Sequence, residues 1–158
     1  MRVGIGYDIH RLVRGRRLIL GGVEIPFHKG LLGHSDGDVL HHAVVDAALG
    51  AAGLGDIGEF FSDRDARNKN RDSFVFVEKV RKILAKEGFC VTQIDSVIVA
   101  ERPKLSVYKE KIRKSLSSAW GLKIGQVNIK AKTNEGLDAT GKGQAIACHV
   151  VVLLKKGK

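Results

Sequence analysis

The 158-residue chain is long enough to bury a core of its own and short enough to form one domain spanning 1–158. With 44% hydrophobic and 28% charged residues it falls among globular proteins rather than disordered or fibrous ones, and no apolar run approaches the ~20 residues of a membrane span. A net charge of +10 at pH 7 points to an acidic partner: nucleic acid, a membrane surface or a phosphorylated metabolite.

The basic clusters RLVRGRR (11–17), RNKNR (67–71), KEKIRK (109–114) and the closing KKGK are scattered, and aromatics make up only 6%. No basic-aromatic RNA-binding pattern results, so neither a nucleic acid nor a membrane is the expected partner. The first residues carry Asp8 and His10 where an export signal needs an apolar stretch, which makes a cytoplasmic location the expectation. Cys90 and Cys148 lack metal-type spacing and are expected to be two buried, reduced thiols.

In chain order, MRVGIGYDIHRL reads as a strand with Gly4 and Gly6 among β-branched residues. RRLILGGVEIPF (16–27) reads as a strand, a glycine turn and a short strand. Residues 36–53 read as a helix, capped by Asp36 or Ser35 and ended by Gly53. Residues 54–71 form a long polar loop, of the kind that is usually functional or mobile. Residues 72–88 are an amphipathic helix, 90–101 a strand, and 105–121 a helix preceded by Pro103. Residues 126–132 and 144–156 are strands flanking the glycine-rich TNEGLDATGKG. Mixed strands and helices of this order predict an α+β or α/β fold, a sheet covered by helices.

Residues i and i+2 of a strand face the same way, so Asp8 and His10 stand side by side. A metal reading of that pair needs a third ligand. The helix at 36–53 carries Asp38, His42 and Asp46 at i, i+4 and i+8 in an otherwise apolar context, with His41 pointing elsewhere. Buried polar groups are costly without partners, which makes His42 the natural complement. Two imidazoles and a carboxylate are a common catalytic zinc set with an open fourth position, and Asp46 or Asp38 would fix the His42 tautomer. From spacing alone, a hydrogen-bonded core histidine with two surface residues is an equal alternative.

GHSDGD (33–38) sets His34 and Ser35 before the helix, whose N-terminal amides favour an anion. TNEGLDATGKG (133–143) nearly spells a P-loop, but Gly143 stands where Ser or Thr is required and a β-rich run follows, which excludes an NTPase. A glycine-rich turn with Lys142, Thr133 and Glu135 remains, suited to phosphate and a second cation, with a plain hairpin as the alternative.

GYDIHRL, LILGGVEIP, KGLLGHSDGDVLHHAVVDAALGAAGLGDIGEFFSD and NIKAKTNEGL resemble the 2-C-methyl-D-erythritol 2,4-cyclodiphosphate synthase family, from near Met1 to near Leu154. The resemblance implies a bacterial, cytoplasmic α+β homotrimer with sheets packed around a central axis and active sites between subunits. It implies a non-mevalonate isoprenoid cyclase that converts CDP-methylerythritol 2-phosphate to the cyclic diphosphate and CMP, using Zn²⁺ plus Mg²⁺ or Mn²⁺. Asp8, His10 and His42 match the zinc ligands and Glu135 the ligand of the second metal. His34 and Thr133 match catalytic positions, with His34 and Ser35 at the methylerythritol phosphate end. Asp56, Ile57 and Gly58 match substrate contacts there, and Phe61, Ser62, Asp63 and Asp65 belong to the covering loop. Ala100, Pro103, Lys104, Leu105 and Ser106 match the cytidine pocket, with Lys104 near the nucleotide phosphates. Lys132, Thr133, Asn134 and Lys142 complete the implied substrate contacts. Lys142 stands where many members carry Arg, and Gln144 where many carry Glu, at positions lining the trimer cavity.

This chemistry needs no serine or cysteine nucleophile, because the substrate brings its own 2-phosphate. The protein has to fold a flexible polyanion and neutralise it, so positioning and charge stabilisation carry the rate. Two other classes compete: an RNA-docking module, with steeply salt-dependent affinity and no need for Asp8, and a zinc hydrolase with a general base beside free water.

Overall fold

The computed structural model describes residues 1–33, 35–61 and 72–157. Its main sheet has five strands in the order β4-β1-β7-β5-β6, comprising β1 (Arg2–Arg14), β4 (Lys29–Leu31), β5 (Phe89–Val99), β6 (Val127–Lys132) and β7 (Ala145–Lys156). The pairings β1–β4, β1–β7 and β5–β7 are antiparallel and β5–β6 is parallel, so the sheet is mixed. A separate hairpin joins β2 (Leu18–Leu20) to β3 (Val23–Ile25) through Gly21 and Gly22, both at positive φ. These are the two short strands and glycine turn expected from RRLILGGVEIPF.

Helix α1 (Val39–Ala52) lies across β1 and β7, α3 (Phe74–Lys86) packs on β5 and on α1, and α4 (Lys109–Trp120) packs on β6. Among the described residues there are also two single-turn α-helices, α2 (Ile57–Phe60) and α5 (Asp138–Gly141), and a 3-10 turn at Ile124–Gln126. The α2 turn sits inside the expected polar loop and is too short to leave a periodic signal in sequence. Helix α1 begins at Val39 rather than at 36 because Gly37 is left-handed, at φ 76°, and cannot continue a right-handed helix. Its cap is Asp38, not Asp36 or Ser35, while Gly53 closes it in the left-handed conformation as expected.

Alternation decides what each face of the sheet meets. Even-numbered residues of β1 and β7 face the helices, and Gly6, Leu12, Cys148, Val150, Val152 and Leu154 among them are buried. Gly4 and Gly6 lie on that face for a steric reason. A Cβ on Gly6 would stand 2.0 Å from the Ala43 carbonyl oxygen, and one on Gly4 would stand 2.0 Å from that of Ala47. The missing side chains let the backbone of α1 settle onto β1. Gly6→Ala is therefore expected to lower stability by at least ~1–3 kcal/mol, because the rigid helix backbone has to move; urea unfolding measures it.

The opposite face of β1 and β7 presents Val3, Ile5, Tyr7, Ile9 and Val151, all exposed, with Ile5 74% accessible. Toward β5 and β6 the same face turns polar: Lys130 Nζ donates to Asp95 Oδ2 at 2.6 Å and Asn128 donates to Asp95 Oδ1 at 2.9 Å.

The expectation of two buried thiols is corrected, since Cys148 is buried but Cys90 is exposed. The register of β5 against β7 shifts between Val91 and Gln93. An extra residue in a strand exchanges the two faces beyond it. Phe89 and Val91 therefore pack toward the core, as Ile94, Ser96 and Ile98 do after the bulge, and Cys90 is turned outward. TNEGLDATGKG is not a hairpin either, because β6 and β7 are not neighbours; β5 lies between them.

Candidate metal centre and substrate cavity

Asp8 and His10 extend from the helix-facing side of β1, and His42 from the first full turn of α1 above them. His42 Nδ1 lies 3.2 Å from Asp8 Oδ2, and His10 Nδ1 lies 3.4 Å from Asp8 Oδ1. One donor atom from each residue falls within 4.8 Å of the other two, the single such group of three among the described residues. Burial would raise the Asp8 carboxyl, but hydrogen bonds and charge from His10 and His42 hold it well below the usual carboxylate range. Burial likewise lowers His10, and Asp8 outweighs it, so its pKa is raised. Two neutral-capable imidazoles and an ionised carboxylate, half-buried and convergent, are a donor set that fits a divalent transition metal.

The three residues form part of a cavity of about 830 Å³, lined also by Tyr7, Ser35, Asp46, Asp56, Gly58 and Phe61. Asp56 caps α2, its carboxylate accepting from the Gly58 and Glu59 amides. Asp46 Oδ1 accepts from the Ile57 amide at 3.1 Å and so ties this turn to α1. Desolvation raises the Asp46 pKa, with repulsion from Asp56 and Asp8 adding to it.

Asp8, His10, His42, Ser35, Asp56, Ile57, Gly58 and Phe61 are thus brought together, as expected. His34, Ser62, Asp63 and Asp65 lie outside the described residues. The remaining expected positions do not line this cavity. The Ala100 amide donates to the Lys132 carbonyl at 2.9 Å, which sets Ala100 beside Lys132 where β5 and β6 end and the segments carrying Pro103, Lys104 and Leu105 and carrying Thr133, Asn134 and Glu135 begin, while Ser106 lines a small second cavity with Asn128 and Ile129. The register Asp8–Cys148, Cys148–Ile98, Ile98–Ala131 puts the β5 end of this second group two strands, and its β6 end three strands, across from the first, roughly 10–14 Å at ordinary strand spacing. Glu135 and Lys142 are exposed there, with Glu135 left-handed at φ 50°.

Two expectations for α1 are corrected. Neither Asp38 nor Asp46 reaches His42, whose Nε2 faces Ser35 Oγ and Ser73 Oγ, each at 3.0 Å. The Leu40 and His41 amides at the start of α1 are not free for an anion, because the Asp38 carboxylate already accepts from both. As the cap residue, Asp38 lies before the helical turn repeat and turns away, toward His41 and the β2–β3 turn. Ser73 and Phe76, beside His42, and Asp36, bonded to Ser73, are not among the site residues expected from the sequence, where Asp36 stands only as a cap. Asp36 sits inside GHSDGD, but Ser73 and Phe76 follow the 54–71 segment and carry no local signal.

A sheet strand and its covering helix that bring a carboxylate and two imidazoles together in the lining of a cavity define an α+β protein with a donor set that fits a metal ion. The sequence matches the YgbB family over residues 1–155. It is 54% identical over 156 residues to the 2-C-methyl-D-erythritol 2,4-cyclodiphosphate synthase of Pelotomaculum thermopropionicum, covering 99% of this chain and 96% of that one. A solved 2C-methyl-D-erythritol-2,4-cyclodiphosphate synthase in a CDP-bound form superposes with a TM-score of 0.90 at 40% identity, over 98% of this chain and 100% of the other. The bifunctional IspDF of Campylobacter jejuni superposes at 0.94 with 38% identity, over 98% of this chain and 42% of that longer one. The chain belongs to the YgbB family, that of the 2-C-methyl-D-erythritol 2,4-cyclodiphosphate synthases.

Proposed function

We propose that the protein, as a single domain over 1–158, converts CDP-methylerythritol 2-phosphate to 2-C-methyl-D-erythritol 2,4-cyclodiphosphate and CMP, in the cytoplasm of a bacterium. The observation that carries this reading is the convergence of Asp8, His10 and His42 on the cavity that also collects Ser35 and the Asp56–Gly58 turn. In the reaction an oxygen of the 2-phosphate bonds to the β-phosphorus. The bond from that phosphorus to the bridging oxygen breaks, and CMP leaves with the oxygen.

Asp8, His10 and His42 would hold Zn²⁺, and Glu135 would hold Mg²⁺ or Mn²⁺ together with substrate phosphates. When bound, these cations neutralise and polarise the diphosphate. Ser35, with His34, would fix the methylerythritol phosphate. The Asp56 turn would hold the same end, and Phe61, with Ser62, Asp63 and Asp65, would cover it. Lys104 and Thr133 would meet the nucleotide phosphates, with Lys132, Asn134 and Lys142 beside them, and Ala100, Pro103, Leu105 and Ser106 would receive the cytidine.

These residues form two groups two to three strands apart, which supports a homotrimer whose sites lie between subunits. The exposed apolar face of β1 and β7 supports packing of the sheets around a common axis. The test is incubation with CDP-methylerythritol 2-phosphate and Mg²⁺, followed by ³¹P NMR: the expected result is a cyclic diphosphate and one CMP per turnover. Mixed His42→Ala and Lys104→Ala chains are expected to regain activity through hybrid sites. No CMP from the wild type overturns the reaction, and no rescue in mixtures overturns the shared site.

A further inference from the structure

Behind His42, away from the cavity's metal donors, lies a chain of polar groups that the reaction as described does not use. Ser73 Oγ is 3.0 Å from His42 Nε2, and its hydroxyl donates to Asp36 Oδ1. The Ser73 amide donates to Asp36 Oδ2 at 3.0 Å, and the Asp38 amide donates to Asp36 Oδ1 at 3.1 Å. Ser73 is fully buried and begins α3. It makes no cap bond with its own helix, so its hydroxyl is committed to this chain. Ser35 Oγ is also 3.0 Å from Nε2, but it accepts from the Gly37 amide and reaches the Asp36 carboxylate only through a long 3.5 Å contact with Ser73 Oγ.

We propose that Asp36 and Ser73 are positioning residues for the metal centre, a carboxylate–hydroxyl–imidazole relay that sets which nitrogen of His42 faces the metal. The inference rests on the metal reading of Asp8, His10 and His42. With Nδ1 facing Asp8 and the metal, the ring proton belongs on Nε2. That N–H donates to Ser73 Oγ, whose own hydrogen is held by the Asp36 carboxylate. The negative charge at the far end makes the imidazole a stronger donor ligand, as a carboxylate bonded directly to a metal-bound histidine does. The relay also joins residues 36, 42 and 73, so metal loading and the placement of the first turn of α3 favour each other.

The test compares wild type, Asp36→Asn, Ser73→Ala, the double variant and Ser35→Ala, with His42→Ala as the metal-free control. Zinc affinity is measured by competition with a chromophoric chelator. Cobalt-loaded samples give a visible spectrum that reports the ligand field. Hydrogen exchange is followed at the amides of Phe74–Val77 with and without metal. Each single variant is expected to bind zinc ~10–100-fold more weakly, and the double variant no more weakly than either, because the residues act as one unit. Their cobalt bands are expected to shift, and the metal-dependent slowing of exchange in α3 to vanish. Ser35→Ala is expected to retain wild-type affinity.

Asp36→Asn keeps the shape of the side chain, so a purely structural role would move the melting temperature and leave the cobalt bands in place; that pattern overturns the relay. Wild-type affinity in both single variants, or loss confined to Ser35→Ala, overturns it as well. A wild-type protein that binds neither zinc nor cobalt overturns the metal reading and the relay together.

Discussion

Replacement of His42 by alanine is expected to empty the metal centre and to lower CMP release roughly a thousandfold or more, the effect of losing several kcal/mol of transition-state charge stabilisation. His42 is the one ligand of the three supplied by the helix; Asp8 and His10 alone leave a two-residue site on a strand. The side chain borders the cavity and carries little of the packing of α1, which rests on Val39, Leu40, Ala43, Val44, Ala47 and Ala48. The variant is therefore expected to melt close to the metal-free wild type. Elemental analysis checks the first outcome and thermal unfolding the second. Full zinc occupancy in His42→Ala would falsify the ligand assignment.

The largest loss of stability is expected at Asp38, four residues earlier in the chain. Its carboxylate is fully buried and accepts from the amides of Gly21, Gly22, Leu40 and His41, at 2.7–3.1 Å. His41 Nδ1 lies 3.2 Å from Asp38 Oδ2, with both side chains buried. One carboxylate thus caps α1, anchors the β2–β3 turn and partners a buried imidazole. Asp38→Ala leaves all of these donors in a dry interior, at a cost of ~3–5 kcal/mol. That is a large part of the ~5–15 kcal/mol that holds a domain folded.

Acid has a related effect. Burial alone would raise the Asp38 pKa, but attraction to His41 and the hydrogen bonds from His41 and Gly22 outweigh it and hold it at about 2, against an ordinary value of 3.8. A depressed pKa contributes stability that is complete above 3.8 and fades as the pH falls toward 2. Urea midpoints are expected to drop over that interval in the wild type and to drop less in Asp38→Asn. Equal slopes in the two proteins would remove Asp38 as a source of the acid sensitivity.

Local periodicity explains what could be read from the sequence. Asp8 and His10 were legible because a strand repeats every two residues, and His42 because a polar side chain stood in an apolar helix. Asp38 was assigned to the same helix stripe and is not part of it, because the four-residue repeat starts only after the cap, which Gly37 fixes. Cys90 was misplaced by a bulge that exchanges faces within one strand. The position of Ser73 against His42 depends on how α3 packs on α1, and no repeat in the sequence encodes that packing. The parallel pairing of β5 with β6 was equally hidden, since strands that are distant in sequence choose neighbours through the whole sheet. What this pairing separates, the Ala100–Ser106 and Lys132–Glu135 segments from Asp8, is legible only once the strand order is known.

The pairing of β1 with β7 governs the time at which the site comes into being. Asp8 lies opposite Cys148 and His10 opposite Ile146, so the strand carrying two ligands is held by one far along the chain. Contacts of such long sequence separation form slowly, because a large loop must close before they are rewarded. Helix α1 and the β2–β3 turn, joined by Asp38 over a short span, can associate well before that. During synthesis the α1 segment carrying His42 is then complete while the Asp8–His10 stretch of β1 still lacks its β7 partner. A chain cut short before β7 would carry all three ligands with β1 held only by α1 and β4, and is expected to bind metal more weakly than the full chain.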